Sequence, residues 1–229
     1  MNEVLRQEKK YFITVCDIAS MGARLEQVMQ QDSHNGAQGY RIRSLYFDTP
    51  DDRDYQEKVD GVELRRKIRL RNYDPDGTFA MLEMKQKQGE LQKKRSLRVS
   101  RDDARRLIAG EYAVLLKYPE AFAAEVYGLM ERLCYRPKTV VEYRRKAFIA
   151  KENKIRVTFD SGIAATESHF DIFDGKLAMT PVFDPFHAVL EVKYNGFLLS
   201  YIKSLINVTD RAALSVSKYC LARSATLMP

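Results

Sequence analysis

Cysteine is scarce in this 229-residue chain, and the three that occur, Cys16, Cys134 and Cys220, are widely spaced. They form neither a disulfide framework nor a Cys-x-x-Cys metal site, which favours a reducing compartment and predicts buried thiols. No apolar run approaches the ~20 residues that a membrane helix needs. Charged residues occur near the start before any apolar run, so the beginning of the chain does not resemble a signal peptide. We therefore expect a cytoplasmic protein without a membrane segment.

Glycine-rich nucleotide-binding motifs are also missing. The sequence contains no P-loop and no dinucleotide-binding pattern, which argues against a conventional nucleotide-hydrolase fold. The three histidines, His34, His169 and His187, are isolated in sequence, and we interpret them as structural or solvent-exposed residues. The content of 45% hydrophobic and 30% charged residues is typical of a folded globular chain, and we treat residues 1–229 as a single domain. A net charge of +7 indicates only a mild preference for anions, so the distribution of charge must identify the partner.

The chain does contain a repeated alternation of charged and apolar residues. Residues 67–71 read Lys-Ile-Arg-Leu-Arg. A period of two is the strand period, so Ile68 and Leu70 point to one face and the three cations point to the other. Similar alternation occurs near residues 6–12, 82–85, 155–160 and 190–193. One such strand is ordinarily a solvated strand, but five of them predict a sheet that gathers charge around a polyanion.

The periodicity and turn signals predict an antiparallel α+β fold rather than a βαβ alternation. We predict strands over residues 8–15, 40–48, 63–73, 78–87, 91–99, 139–150, 154–160 and 187–194. We predict helices over residues 17–31 (N-capped by Asp17), 51–58, 100–109, 119–134, 197–206 and 212–226. In a closed antiparallel barrel, the apolar set can be buried outward beneath the helices, which leaves the charged set for a wet lumen.

Eight segments carry a more specific resemblance, through their order and spacing from Arg6 to Arg223. They are Arg6-Gln7-Glu8-Lys9-Lys10-Tyr11, Ser44-Leu45-Tyr46-Phe47-Asp48-Thr49, Ile68-Arg69-Leu70-Arg71, Glu83-Met84-Lys85, Tyr143-Arg144-Arg145-Lys146-Ala147-Phe148, Ile155-Arg156-Val157, Leu190-Glu191-Val192-Lys193 and Ser217-Lys218-Tyr219. Together they resemble the polyphosphate polymerase domain of the vacuolar transporter chaperone (VTC) family, within the triphosphate tunnel metalloenzyme (CYTH-like) superfamily.

This resemblance implies an antiparallel β-barrel tunnel with helices packed outside and a C-terminal helix that closes the tunnel. The catalytic cations that it implies are Lys10, Arg69, Arg71, Lys85, Arg145, Arg156 and Lys218. The implied substrate-binding residues are Tyr143, Lys193 and Ser217, to which Arg95 or Lys93 adds a further contact. The implied ligands of Mn²⁺ or Mg²⁺ are Glu191 with Glu83 or Glu8, and an equal alternative is that Glu8 and Glu83 only offset neighbouring cations.

The implied activity is metal-dependent phosphoryl transfer from a nucleoside triphosphate such as ATP to a polyphosphate chain. An excess of cations over carboxylates favours transfer, because a phosphate acceptor is already anionic whereas hydrolysis usually needs a general base. The alternatives are a tripolyphosphate or nucleoside triphosphate hydrolase of the same fold and a non-catalytic polyphosphate-binding module. A single-stranded RNA module, with bases stacked on Tyr46, Phe47 and Tyr143, is less consistent with cations on many strands, so we expect no nucleic-acid partner.

Two positions depart from the family pattern. Arg6 stands where the wider superfamily often has a glutamate, which removes one potential metal ligand. Ser215 stands where the best-known polymerases have a lysine, so one phosphate contact is absent or supplied by another residue.

Overall fold

The computed structural model describes residues 6–89, 91–182, 184–207, 212–213 and 215–227. The sheet in this part of the chain is antiparallel and its strands follow the predicted segments closely. The strands are β1 (Arg6–Thr14), β2 (Gln30–Gln31), β3 (Tyr40–Asp48), β4 (Leu64–Asn72), β5 (Phe79–Gln88), β6 (Leu91–Ser100), β7 (Arg136–Ile149), β8 (Arg156–Thr166), β9 (Thr180–Pro181) and β10 (His187–Asn195).

The helices also lie where the sequence predicts them. They are α1 (Val15–Leu25), α2 (Arg53–Val59), α3 (Arg101–Ile108), α4 (Ala121–Arg132), α5 (Ser200–Ile206) and α6 (Lys218–Leu227), with short 3₁₀ turns at Tyr112–Lys117 and Glu152–Lys154. The helix predicted over 212–226 begins at Lys218, six residues later than predicted. Residues 208–211 and 214, within or just before the predicted range, lie outside the described residues. None of the described helices is long and apolar enough to span a membrane.

The first helix differs from its prediction at both ends. Thr14, rather than Asp17, is the N-cap: its side chain accepts a hydrogen bond from the Asp17 backbone N–H, and the Asp17 carboxylate accepts one from the Thr14 N–H. This reciprocal pair is a capping box. The helix ends at Leu25 because the chain turns and residues Gln30 and Gln31 form hydrogen bonds with β7 as a short strand. Pairing with a distant strand outweighs the local helical pattern here.

The chain forms two compact units. Unit 1 contains Met1–Arg41, Tyr143–Ile163 and Pro181–Ser217, and unit 2 contains Ile42–Glu142, Ala164–Thr180 and Lys218–Pro229. Hydrogen bonding orders the strands β1-β10-β8-β7-β3-β4-β5-β6, with β2 added on β7 and β9 on β8. This confirms the mixed α+β class with an antiparallel sheet. The expected closure of the barrel is not observed, because the path of paired strands ends at β1 and β6 within the described residues.

Each unit has its own apolar core on the uncharged face of its strands. In unit 2, Ile68 and Leu70 of β4 are completely buried and pack with Leu82 of β5 and with residues of α3 and α4 such as Leu107 and Val126. The alternation in residues 67–71 thus separates a helix-covered face from a charged face, as predicted.

The core of unit 1 is built in the same way. Leu190 of β10 and Phe159 of β8 pack with Ile13 of β1, and the cluster is covered by Leu25 of α1 and Ile202 of α5. Helices therefore cover the apolar face of the strands in both units, which confirms the predicted position of the helices.

The prediction of buried cysteines is wrong. Cys16 and Cys134 are exposed and Cys220 is partly exposed, and all three are free thiols. Cys16 lies in the first turn of α1, and Cys134 lies in a left-handed turn (φ 51°) just after α4, so apolar neighbours in sequence did not bring either thiol into the core.

A pair of buried carboxyl groups holds the start of α2 in unit 2. Asp48 is fully buried and accepts hydrogen bonds from the backbone N–H groups of Asp54 and Tyr55. Asp54 is also buried, and the Tyr135 hydroxyl lies 2.9 Å from both of its carboxyl oxygens. Burial, together with the negative charge of Asp48, raises the pKa of Asp54 from 3.8 to about 8. Asp54 is therefore protonated at neutral pH.

This raised pKa gives a testable pH dependence. The folded state keeps a proton on Asp54 that the unfolded state releases, so its contribution to stability is largest below about pH 3.8 and is lost as the pH rises towards about 8. We expect Asp54→Asn to remove this pH dependence. Between about pH 3.8 and about pH 8, the free energy of unfolding of the variant should rise by at least about 1 kcal/mol relative to that of wild type. Urea denaturation across this pH range measures the difference. If the difference in unfolding free energy between wild type and Asp54→Asn stays constant with pH, the raised pKa of Asp54 is contradicted.

Candidate functional site

The charged face of unit 2 is centred on the carboxylate of Glu83. Register places Arg69 of β4 beside Glu83 of β5, and the Arg69 Nε and Nη2 atoms each lie 2.8 Å from Glu83 Oε2. The Nε atom of Arg71 lies 3.8 Å from the same oxygen and 3.3 Å from Ser44 Oγ. Lys94 of β6 forms an ion pair with the other carboxylate oxygen. Three cations thus share one carboxylate.

Burial makes this arrangement electrostatically strong. Glu83 is 3% exposed and Arg71 is 7% exposed. Burial by itself raises the pKa of Glu83, but the charges of Arg69 and Arg71 outweigh it and hold that pKa at about 2. Glu83 is therefore ionised at any physiological pH, and it neutralises one of the three cations around it.

Tyr46 extends this cluster to the C-terminal helix. The Tyr46 hydroxyl accepts a hydrogen bond of 3.1 Å from Arg69, and the Tyr46 ring stacks on Tyr219 with centroids 5.1 Å apart. Burial raises the pKa of Tyr46, but the charges of Arg69 and Arg71 outweigh it, so the net shift is downward. A phenol with a lowered pKa is a stronger hydrogen-bond donor to an anion.

Helix α6 is anchored by acidic residues of unit 2. The Tyr219 hydroxyl donates to Asp48 at 2.6 Å, and Arg223 forms ion pairs with Asp52 at 2.6 Å and with Glu167 at 2.7 Å. Lys218 is the first residue of this helix, next to the anchored tyrosine. These contacts of Tyr219 and Arg223, which sequence analysis did not identify, fix the position of the predicted Lys218 at the start of the helix.

Unit 1 carries a second cluster, in which two lysines and two glutamates alternate. On β1 and β10, Lys10 is paired in register with Glu191, and Glu8 with Lys193. Lys10 Nζ lies 3.1 Å from Glu8 and 3.7 Å from Glu191, and Lys193 Nζ lies 3.9 Å from Glu8 and contacts Glu191 directly. The Glu191 side chain is only 6% exposed.

Lys10 is held by both carboxylates and by a backbone carbonyl. Its Nζ atom also donates to the Val216 carbonyl at 3.1 Å. Burial lowers the pKa of Lys10, but the carboxylates of Glu191 and Glu8 outweigh it, so the net shift is upward. Lys10 therefore carries its positive charge at physiological pH.

The two predicted arginines of unit 1 are held by aspartates that sequence analysis missed. Arg145 forms a bidentate pair with the fully buried Asp160, at 2.6 and 2.7 Å. Burial opposes the charged form of Arg145, but Asp160 outweighs it and raises the Arg145 pKa well above its ordinary value. Arg156 contacts Asp32 at 2.7 Å and the Tyr40 hydroxyl at 3.1 Å. Asp160 was detectable, because it lies in the same alternating set as Arg156.

The register of β6 against β5 corrects the expectation that Arg95 or Lys93 lies with the other phosphate-binding residues. Met84 is paired with Arg95, and Gln86 with Lys93, so Arg95 and Lys93 share the helix-covered face. Arg95 there contacts Glu125 of α4 and its guanidinium lies over the Phe122 ring. Lys94 and Arg98 are the cations of β6 on the Glu83 face.

The remaining predicted residues can be placed as follows. Lys85 of β5 is partly buried and lies in register between Lys67 and Lys94. Tyr143 is 3% exposed, and the Arg145 guanidinium lies 5.5 Å from its ring centroid. Ser217 is partly buried just before α6. With Tyr46 and Phe47 also buried, none of the three candidate stacking aromatics presents an open platform for bases.

The carboxylates differ in how well they suit a divalent cation. Among the described residues, no cluster of three or more acidic, cysteine or histidine side chains has the geometry of a metal site. Mg²⁺ commonly takes only one or two carboxylates and completes its shell with phosphate oxygens and water. Glu8 and Glu191 supply two carboxylates that share two lysines, Lys10 and Lys193, whereas the single carboxylate of Glu83 contacts three cations.

The Glu83 cluster makes a direct prediction about stability. Glu83→Gln removes the charge that offsets Arg69, Arg71 and Lys94, and we expect it to destabilise the fold by roughly 3 kcal/mol at neutral pH. Because the folded pKa of about 2 is below the ordinary 4.5, the loss relative to wild type should shrink as the pH falls from about 4.5 towards about 2. Denaturation at several pH values measures both effects.

The matched control is Glu111→Gln, which removes a carboxylate from an exposed ion pair with Arg106. It should change stability by less than about 1 kcal/mol at any pH. Equal effects of the two substitutions would show that the Glu83 cluster has no special role.

Comparison with known proteins identifies a family and a fold. A family model described as the VTC domain matches residues 5–227. A structure of a presumed adenylate cyclase from Bacillus halodurans matches with a TM-score of 0.51 at 11% identity, covering 95% of this chain and 96% of that one. The PH1819 protein from Pyrococcus horikoshii matches with a TM-score of 0.41 at 10% identity, covering 90% and 86%. No curated protein matches. At 11% identity, the likeness to the Bacillus halodurans structure shows a shared fold and not a shared function.

Proposed function

Because the chain belongs to the VTC domain family, which its motifs had indicated, we propose that it is a phosphotransferase that extends polyphosphate. The phosphoryl donor is a nucleoside triphosphate, ATP, and the acceptor is the terminal phosphate of a polyphosphate chain. The reaction uses Mn²⁺ or Mg²⁺. Phosphoryl transfer depends on positioning and on neutralisation of charge, so it suits a site that is rich in fixed cations.

The observation that carries this proposal is the excess of positive charge around Glu83. Arg69, Arg71 and Lys94 share that one buried carboxylate, and Lys85 is the neighbour of Lys94 in register. A fixed excess of charge at partly buried positions is costly unless an anion balances it. The oxygen atoms of a phosphate chain supply that anion.

Each residue of this cluster has a defined task. Arg69 and Arg71 bind nonbridging oxygens through their fixed guanidinium geometry, and Lys85, Lys94 and Lys218 act as point charges. Tyr46 donates a neutral hydrogen bond, strengthened by its lowered pKa. Glu83 orients Arg69 and limits the repulsion between the cations.

In unit 1, Glu191 is the proposed principal metal ligand, with Glu8 beside it. A bound divalent cation would neutralise charge on the phosphates and orient them. Lys10 and Lys193, which now bridge the two carboxylates, would then turn to phosphate oxygens. Arg145 and Arg156 bind phosphate at the outer edges of their guanidinium groups while Asp160 and Asp32 hold their orientation. Tyr143 and Ser217 add neutral contacts.

Transfer to phosphate is favoured over hydrolysis by the state of the carboxylates. Glu83, Asp160 and Glu191 each contact cations, and the pKa of Glu83 is about 2. A carboxylate with such a low pKa is a poor general base for activating water. A phosphate acceptor needs no such base, because it is already anionic.

Two substitutions separate a catalyst from a binding module. Glu191→Gln should lower turnover at least ~100-fold, because it removes a ligand of the metal that neutralises the transition state. Binding of tripolyphosphate should be unchanged or stronger, since a negative charge is lost. Arg69→Ala should weaken binding by roughly tenfold and lower turnover as well. Gel sizing of products made from ATP, Mn²⁺ and a short primer, with calorimetry of tripolyphosphate binding, measures both.

The controls are Glu26→Gln and Arg105→Ala, which remove a carboxylate and an arginine from ion pairs with Lys146 and Asp171. Neither should change turnover or binding more than about twofold. Release of phosphate without chain growth would establish the hydrolase alternative. Binding without any turnover in Mn²⁺ or Mg²⁺ would establish the binding module and contradict the enzyme.

A further inference from the structure

The charged face of β4, β5 and β6 continues well beyond the residues around Glu83. Register aligns the three strands in four successive rows on this face. The rows are Arg71-Met81-Arg98, Arg69-Glu83-Ser96, Lys67-Lys85-Lys94 and Arg65-Lys87-Gln92. At about 6.8 Å between alternate residues of a strand, the four rows extend over about 20 Å.

This small area accounts for the net charge of the whole chain. Its twelve positions carry eight cations and one carboxylate, a net charge of +7. The complete chain also has a net charge of +7, so its remaining Lys and Arg residues are balanced by its remaining Asp and Glu residues. The modest overall charge is therefore concentrated rather than spread over the surface.

The outer two rows contain the most concentrated charge. Lys67, Lys85 and Lys94 lie directly side by side on neighbouring strands, and Arg65 and Lys87 follow as the next pair. Like charges opposite one another on a sheet destabilise it. Arg65, Lys67, Lys85 and Lys87 are all partly buried, which increases that cost.

We infer that Lys67, Arg65 and Lys87, which lie beyond the residues already assigned to the proposed site, are an added binding segment for linear polyphosphate, which selects long chains over short ones. The inference rests on the proposed function, because it assigns the same substrate a longer path. A triphosphate has only three phosphates and cannot contact all four rows. A longer chain, charged at every repeat, can extend from Arg71 and Arg69 to Arg65 and Lys87.

The composition of the face favours polyphosphate over single-stranded nucleic acid. None of the twelve positions is aromatic. Proteins that bind single strands without sequence preference rely on aromatic side chains for base stacking as well as on cations. The aromatic rings beside this face are already covered, Phe79 by Arg98, Tyr219 by Lys67 and Tyr46 by Tyr219, so phosphate charge matches the face better than nucleic-acid bases do.

The test compares neighbouring arginines of one strand that lie on opposite faces. Arg65 is in register with Lys87 on the charged face, and Arg66 is in register with Gln86 on the helix-covered face. We expect Arg65→Gln combined with Lys87→Gln to weaken binding of a polyphosphate long enough to span four rows by about tenfold. The slope of log affinity against log salt should fall by roughly 1.5, because two phosphate contacts are lost at about 0.7 or more each. Tripolyphosphate binding should change less than about twofold, and Arg66→Gln should change neither ligand's affinity by more than that.

The outcomes separate this inference from the proposed function. If tripolyphosphate binds wild type and the double variant binds the long chain as tightly as wild type, the inference fails while the proposed function stands. If tripolyphosphate does not bind wild type but the long chain binds through Arg65 and Lys87, the proposed site fails while the binding segment stands. If single-stranded RNA of equal charge binds as tightly as polyphosphate, with the same dependence on Arg65 and Lys87, the assignment to polyphosphate is overturned.

Discussion

The pairing of one buried carboxylate, Glu83, with three cations is the interaction on which the unit 2 site depends. It fixes the guanidinium of Arg69 against the strand and keeps Arg71 and Lys94 close to one another. Without it, the repulsion among these cations would oppose the pairing of β4, β5 and β6. Because Glu83 supplies a single negative charge, it makes the arrangement possible without neutralising it. An excess of positive charge remains for a ligand.

In unit 1, the positive charges of the clustered cations are offset by an equal number of carboxylates. Its cations are matched one to one: Lys10 and Lys193 with Glu8 and Glu191, Arg145 with Asp160, and Arg156 with Asp32. Under the proposed function, a metal ion would bind the carboxylates of this balanced set and phosphate would bind its lysines. A set with excess charge, as in unit 2, favours simple binding of an anion. The two clusters therefore differ in net charge, which is balanced in unit 1 and positive in unit 2.

The two-residue period of the strands was sufficient to predict which face carries Arg69, Arg71, Glu83 and Lys85, and it placed β3 at its observed bounds. Register was not predictable in the same way. The pairing of Gln88 with Leu91 fixes Lys94, and not Arg95, on the Glu83 face, and a shift of one residue reverses that assignment. The alternating pattern of β8 showed that Asp160 lies on the charged face but not that it binds Arg145 of β7, and Asp32, which binds Arg156, lies in a loop after β2 where no local pattern revealed it. Local patterns likewise did not show that the path of paired strands ends at β1 and β6 in the described part of the chain, or that Cys134 lies in an exposed turn.

The most direct test of the excess-charge account is a titration of the protein with tripolyphosphate, followed by NMR of the arginine Nε–H groups. Each of these groups reports the hydrogen bonding of one guanidinium. The account predicts saturable shifts for Arg69 and Arg71, which share Glu83 with Lys94, and none for Arg66 or for Arg105, which pairs with Asp171. Saturable binding that leaves Arg69 and Arg71 unshifted, or that shifts Arg66 and Arg105 equally, would contradict it.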